Sequence, residues 1–364
     1  MQGADRARRQ TRRIQVGGVA VGGGAPVSIQ SMTTTDTRDA AATLAQIREL
    51  AAAGCEIIRV TVPDEAAAAA FGNIVRGSPI PVIADIHFDY RLALAALAAG
   101  AHGIRVNPGN LGGPERLREV AQAAAGSGAA LRIGVNGGSL GKELLAKHGG
   151  VTSAALVESA LVNCRMAADA GCVNLKVSLK SSNVPATVAA CRLFAEQSAW
   201  PQHIGVTEAG TRLSGTVKSA AALGCLLLEG IGDTLRVSLT APPVEEVRVG
   251  LRILEACGLR EARPEIVSCP TCGRTQIDLM PIAEAVEDEV ARLKAAGVVI
   301  PLRKIAVMGC VVNGPGEARD ADLGIAGGQG KGILFKNGRT VATLAEAELL
   351  PALLREIRAA CGLA

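Results

Sequence analysis

Short runs rich in Val and Ile recur along the first part of the chain, separated by Ala- and Leu-rich stretches. This alternation limits the fold more than any other feature. The runs lie at 27–32 (VSIQSM), 56–62 (EIIRVTV), 80–86 (IPVIADI), 103–107 (GIRVN), 131–136 (LRIGVN), 174–179 (NLKVSL), 203–207 (HIGVT) and 234–239 (TLRVSL). Between them, segments such as 39–53, 91–99, 114–125 and 154–170 read as helices, and Gly54, Gly100 and Gly171 supply helix-ending signals. Strands alternating with helices pair in parallel through right-handed crossovers. Eight such units in about 240 residues match the size of a (β/α)8 TIM-type barrel. A doubly wound open sheet is the alternative, and eight near-equal units favour closure.

Polar residues interrupt the apolar runs at i, i+2 spacing: Asp85 and His87; Arg105 and Asn107; Lys176, Ser178 and Lys180; Arg236 and Ser238. Residues two apart on a strand share a face. Most of these sit toward the C-terminal half of their strand, where barrel active sites are built. Arg59, Arg105, Arg132, Lys176, Lys180 and Arg236 outnumber Asp85 and Glu208. A barrel mouth with surplus buried cations calls for an anion, and Arg forks suit phosphate oxygens. The residues therefore point to a phosphorylated or diphosphorylated substrate.

After about residue 250 the alternation stops. A helix over 245–258 leads through a linker near 258–264 into a small α+β domain. That domain has a strand after Pro264, a helix at 281–296, a strand at 304–308, a hairpin at Asn337-Gly338 and a helix at 343–360. The division expected is a substrate-binding barrel over 1–258 and a second domain over 259–364. With 2% aromatic residues and a net charge of +4, a nucleic-acid surface is not indicated. No apolar run approaches the length of a membrane span. The basic N-terminus, MQGADRARRQTRR, has no apolar stretch behind it and reads as a frayed, solvated tail, with an anion-binding arm as the alternative. Ten cysteines scattered through a chain of this size do not form a secreted disulfide framework, so a cytoplasmic location is expected. Cys55, Cys164, Cys172, Cys225 and Cys257 read as small buried residues.

The second domain carries a sharper signal, in Cys269-Pro270-Thr271-Cys272-Gly273-Arg274 and Cys310-Val311-Val312-Asn313-Gly314-Pro315-Gly316-Glu317. A CxxC loop after a strand presents two thiolates to one centre, and the strand at 304–308 could deliver Cys310 to the same place. Glu317 is the nearest hard donor beside Cys310. Three thiolates with a weaker oxygen ligand suit an iron–sulfur cluster having one exchangeable iron. Zinc completed by Cys361, a CxxC redox pair, or unrelated buried cysteines are the alternatives on spacing alone. Two glycine-rich stretches, 22–24 and 327–332, lack the P-loop and dinucleotide-binding frames and read as turns.

The barrel motifs stand in the order Gln30-Ser31-Met32-Thr33, Ala84-Asp85-Ile86-His87, Arg105-Val106-Asn107-Pro108-Gly109-Asn110, Arg132-Ile133-Gly134-Val135-Asn136 and Val177-Ser178-Leu179-Lys180. Gly205-Val206-Thr207-Glu208-Ala209-Gly210, Glu229-Gly230-Ile231-Gly232-Asp233-Thr234 and the two cysteine motifs complete the set. Taken in this order, they resemble the bacterial 4-hydroxy-3-methylbut-2-enyl diphosphate synthase family of iron–sulfur reductases.

The resemblance implies a [4Fe–4S] cluster on Cys269, Cys272, Cys310 and Glu317. It also implies reductive ring opening and dehydration of 2-C-methyl-D-erythritol 2,4-cyclodiphosphate with two electrons from flavodoxin or ferredoxin. Diphosphate contacts would be Arg59, Arg105, Arg132, Lys180 and Ser238, with Asn107 and Asn136 beside them. Glu208 would protonate the departing oxygen, while Asp85 and His87 shape the pocket. A homodimer in which one subunit's cluster domain serves the other's barrel is implied as well, in the short form that lacks an inserted domain. Two competing expectations stand beside it. One is a hydrolase, lyase or pterin-type transferase with structural zinc; the other is a metal-sensing or nucleic-acid-binding module.

Overall fold

A computed structural model describes residues 8–261, 264–310 and 320–363. The chain divides into two compact units, one ending at Arg260 and the other beginning at Glu261.

The first unit opens with a hairpin, β1 (Ile14–Val16) and β2 (Val19–Val21). The barrel strands follow: β3 (Ser28–Met32), β4 (Ile57–Thr61), β5 (Val82–Asp85), β6 (Gly103–Val106), β7 (Ala130–Asn136), β8 (Leu175–Lys180), β9 (His203–Ile204) and β10 (Thr234–Leu235). They form one eight-stranded sheet in the order β8-β7-β6-β5-β4-β3-β10-β9. A parallel bridge from Val177 to Gln202, with the Val177 N–H donating to the Pro201 carbonyl at 2.9 Å, joins β8 to β9 and closes the barrel.

The crossovers are α1 (Ala40–Ala52), α2 (Glu65–Gly77), α3 (Tyr90–Ala98), α4 (Pro114–Ser127), α5 (Lys142–His148), α6 (Ser153–Asp169), α7 (Val184–Gln197), α8 (Arg212–Leu228) and α9 (Pro243–Ala256). Asp39, Asp64, Thr152 and Asn183 cap α1, α2, α6 and α7 by accepting backbone N–H bonds in the first turn. Outward strand residues such as Ile58 and Val60 pack under helix residues such as Phe71 and Ile74 in one continuous core. That leaves the opposite strand face for the barrel interior.

The N-terminus departs from the expected frayed tail. From residue 8 onward it is fastened to the barrel: Arg8 donates to the Gly232 carbonyl (3.0 Å) and to Asp233 (3.3 Å), and Arg9 to the Trp200 carbonyl (2.8 Å). The Arg12 guanidinium lies 5.1 Å from the Trp200 ring centre. Ile14, Val16 and Val21 then pack on Ile57, Ile83 and Ala130, near the N-terminal ends of β4, β5 and β7. Loop carbonyls and a buried carboxylate far along the chain hold these arginines, so local composition could not announce the arrangement. Residues 1–7 lie outside the described residues.

The second unit is a five-stranded sheet in the order β11 (Glu265–Ser268), β12 (Lys304–Met308), β13 (Leu323–Gly328), β14 (Lys331–Lys336), β15 (Arg339–Ala345). The first three strands run parallel and the last three antiparallel. Helices α10 (Leu279–Ala295) and α11 (Glu346–Ala360) contribute Val286, Val290, Leu349 and Leu353 to a core with Ile305, Val307 and Ile325 of the sheet. The expected hairpin is present, with φ of +47° at Asn337 and +73° at Gly338, the paired left-handed conformation that an Asn-Gly turn favours. Strand β13 was not anticipated. Its Gly327 and Gly328, read as turn residues, lie in the ladder with β14 and offer no hydrophobic alternation to detect.

Candidate active site

The C-terminal halves of the barrel strands surround a cavity of about 250 Å³. Arg59, Asp85, His87, Arg105, Arg132, Asn136, Lys180 and Ser238 line it, all of them singled out in the sequence. Met32, Ser178, Thr207 and Arg236 line it as well. The i, i+2 spacing that marked Lys180 and Ser238 marks Ser178 and Arg236 equally, so that signal was present.

Two of the expected residues lie outside this lining. Asn107 is buried and accepts from the Gly109 N–H at 3.2 Å, capping the turn that follows β6. Glu208 is exposed, one residue beyond Thr207, with φ of +52°. A non-glycine residue at that φ carries backbone strain, a feature that clusters at functional loops.

Asp85 anchors one side of the cavity, 3.2 Å from Arg105, 3.5 Å from Arg59 and 3.9 Å from His87. Burial opposes its charge, but Arg59 and then Arg105, Arg132 and His87 hold the carboxyl below its ordinary range. The second buried acid at the cavity cations is Glu246, in the first turn of α9, and not the expected Glu208, which is exposed. Glu246 accepts from Arg236 through both oxygens at 3.2 Å, from the Ser31 hydroxyl at 3.2 Å and from the Leu239 N–H at 3.1 Å. It reaches inward from the helix layer, so no strand periodicity could find it.

Among the described residues, Arg132 has no carboxylate partner within ion-pair distance, and it donates to Gln30 at 3.1 Å. Burial, then its neighbours Arg59 and Arg105, press it well below the usual arginine range. Lys180 is pressed down in the same way, by burial and then by Arg132. Arg59 falls to about 10, chiefly through burial, although Asp85 works to raise it. Gly205 makes room for this crowd: a Cβ there would sit 2.8 Å from the Lys180 Nζ and 2.5 Å from the Arg236 carbonyl.

Arg59, Arg105, Arg132, Lys180 and Arg236 thus line a cavity whose buried carboxylates are Asp85 and Glu246. Partly desolvated and short of counter-charge, these groups gain when a polyanion enters. Met32 packs its sulfur against Arg59 at 2.9 Å, fixing the guanidinium without neutralising it.

The cysteines gather at the ends of two adjacent strands. Ser268 and Val307 are register partners on β11 and β12, so Cys269 and Cys310 leave neighbouring parallel strands at nearly the same level. The Gly309 N–H donates to the Cys269 sulfur at 3.0 Å, and the Gln276 N–H to the Gly309 carbonyl at 2.9 Å, tying the two loops together. Cys272 is exposed, and its thiol is lowered by hydrogen bonds from the Arg274 backbone and then the Arg274 side chain. Arg274 is raised in turn, chiefly by its hydrogen bond with Cys272. Cys361, the candidate fourth zinc ligand, packs against the apolar core, and burial raises its thiol.

Glu317 and Asn313 lie outside the described residues. Among the described residues, no three His, Cys, Asp or Glu side chains come together as for one metal ion. A four-iron cube places one iron per thiolate and so needs its cysteines farther apart than a single ion does. The donors fit that group in kind: three thiols on two loops tied together, one of them hydrogen-bonded at sulfur by a backbone N–H, as cluster thiolates are tuned. Of the five cysteines read as buried, Cys55, Cys164 and Cys172 are, whereas Cys225 and Cys257 are partly exposed.

The GcpE TIM-barrel domain model matches residues 11–251, and the GcpE protein C-terminal domain model matches residues 265–359. The 4-hydroxy-3-methylbut-2-en-1-yl diphosphate synthase (flavodoxin) of Geobacter sulfurreducens is 58% identical, over 96% of this chain and 97% of that protein. The proteins of the same name from Maridesulfovibrio salexigens and Salinispora tropica are 54% and 55% identical, each over 96% of this chain and over 96% and 88% of their own length. Among solved structures, dihydropteroate synthase from Stenotrophomonas maltophilia superposes with a TM-score of 0.51 at 18% identity, covering 70% of this chain and 100% of that one. The 3-dehydroquinate dehydratase from Geobacillus kaustophilus gives 0.50 at 17% identity, covering 68% of this chain and 98% of that one. These two likenesses concern the fold alone.

Proposed function

The chain belongs to the GcpE family, and from that membership we propose how its own residues serve the family's reaction. The protein is a 4-hydroxy-3-methylbut-2-en-1-yl diphosphate synthase, an oxidoreductase of isoprenoid precursor biosynthesis. It converts 2-C-methyl-D-erythritol 2,4-cyclodiphosphate to (E)-4-hydroxy-3-methylbut-2-enyl diphosphate. In that conversion one ring C–O bond to phosphate opens and one hydroxyl leaves as water; two electrons and two protons balance the change. Reduced flavodoxin, named for the relatives, is the donor.

The observation that carries the assignment of residues is the cavity of buried cations facing two carboxylates. Arg59, Arg105, Arg132, Lys180 and Arg236 bind the diphosphate, with Ser238 and Asn136 donating at its edge. Asp85 holds Arg59 and Arg105 in place, and Glu246 does the same for Arg236. Because the diphosphate stays bonded to carbon after the ring opens, the same cations hold substrate and product. Their fixed positions also stabilise the negative charge that builds on phosphate oxygen as the bond breaks.

Glu208, the residue after the cavity-lining Thr207, protonates the departing hydroxyl. Cys269, Cys272 and Cys310, with Glu317, hold a [4Fe–4S] cluster. When bound, that cluster supplies the electrons and a Lewis-acidic iron. The dimer is part of the same reading, one subunit's cluster domain serving its partner's barrel. So is a cytoplasmic location, whose reducing conditions keep the thiols free.

Anaerobic purification with iron, sulfide and zinc analysis, followed by turnover of the cyclodiphosphate with reduced flavodoxin, tests the assignment. About four irons per chain and reductive turnover support it. A colourless protein with one zinc and no turnover would sink it.

A further inference from the structure

Below the substrate cavity, the barrel interior contains a second polar layer, which shares Arg132 with the cavity lining. Ser28 and Gln30 share a face of β3 with the cavity-lining Met32, and Lys176 lies two residues before the cavity-lining Ser178 on β8. Arg132 stands in the same relation to Gly134 on β7, and His203 lies two residues before Gly205, whose Cβ position faces Lys180. All five side chains are at most 2% exposed. Among the described residues, Ser28 Oγ, Gln30 Nε2, Arg132 Nε, Lys176 Nζ and His203 Nε2 find no hydrogen-bond partner.

The layer is contiguous. Arg132 and Lys176 are register partners across β7 and β8, and Arg132 bonds Gln30. His203 Nδ1 meets the Thr234 hydroxyl at 2.7 Å, and Thr234 is the register partner of Ser28.

These groups are rich in donors and poor in acceptors. An ammonium brings three N–H bonds, an amide two and a guanidinium Nε one, with the hydroxyl and the imidazole able to add more. A water accepts about two hydrogen bonds and brings no charge. The carboxylate that acts on Lys176 is Asp233, whose oxygens already accept from Arg8, Thr11 and the Gln202 N–H. Left so, Lys176 falls to about 7, chiefly by burial and then by the charge of Arg132. The donors come from separate strands and do not form a fork, which suits a spherical acceptor.

We propose that this layer is a binding site for a single monovalent halide, seated between Lys176 and Arg132 beneath the substrate cavity. Crystals of the full chain with its cluster, grown in sodium bromide, test this through anomalous data on both sides of the bromine edge, where iron contributes alike. The expected result is a bromine peak within hydrogen-bonding reach of Lys176 Nζ. In solution, chloride replacing gluconate at fixed ionic strength should raise the Tm, and the rise should vanish in Lys176→Met, whose side chain keeps the stem and removes the charge. Water density alone beside Lys176 in the bromide crystals would overturn the proposal, whether or not Lys176→Met folds. An equal chloride response in wild type and Lys176→Met would overturn it as well.

Discussion

The barrel and the C-terminal unit arrange their functional groups in opposite ways. In the barrel, cations are buried among apolar strands and spaced by the sheet itself, with Asp85 and Glu246 fixing three of them from the side. In the C-terminal unit, Cys269, Cys272 and Cys310 stand beyond the ends of β11 and β12, and Cys272 is exposed. A charge buried by the fold is preorganised for an anion before one arrives. Thiols on loop ends gain their common geometry from what they bind. Recognition in the first unit should therefore survive damage to the second, and cluster assembly in the second should survive damage to the first.

The largest effect is expected from the cysteines. Cys310→Ser should lower turnover by at least about 100-fold, the upper end for groups that merely support a metal ligand. Its iron content should fall while its Kd for the cyclodiphosphate stays within about threefold of wild type. A large loss of substrate affinity in that variant would break the comparison.

Next comes Arg132→Met. Removing one buried fork from the anion should raise the Kd about 100-fold, or roughly 2.7 kcal/mol, with full iron content. Reduced iron in this variant would show that the two sites are not independent. Glu246→Gln probes a positioning residue. Arg236 should lose its fixed orientation, raising KM about tenfold with little change in kcat, and Glu246→Asp should recover part of the loss. A fall in thermal stability with KM unchanged would mean that Glu246 acts only in packing.

The smallest expected effect concerns acid. Glu289 on α10 accepts from Arg292 at 2.8 Å and from Arg358 of α11 at 2.7 Å, and these bonds bring its carboxyl down to about 2. A carboxyl with a lowered folded pKa adds stability above its unfolded value, near 4.5, and loses it as pH falls toward 2. Melting of the C-terminal unit should thus show an acid-dependent step between about 4.5 and 2 that Glu289→Gln lacks. An unchanged pH profile in that variant would remove this pair of arginines from the account.

Period and spacing along the chain were enough for the eight barrel strands, the shared face of Lys176, Ser178 and Lys180, and the meeting of two cysteine motifs. Each follows from local rules: apolar repeats choose strand or helix, residues two apart share a face, and CxxC sets two thiols on one loop. Recognition of the family followed from motif order. What packing across the chain decided lay beyond those rules. Glu246 reaches the interior from a helix, and Arg8 and Arg9 find their partners in barrel loops about two hundred residues away. Asn107 turns back to cap its own loop, and Glu208 stands exposed at the rim. Sequence determines which side chains a strand offers to the barrel interior. Which of them are answered by a counter-charge depends on groups delivered from other layers, and only the tertiary structure brings those layers together.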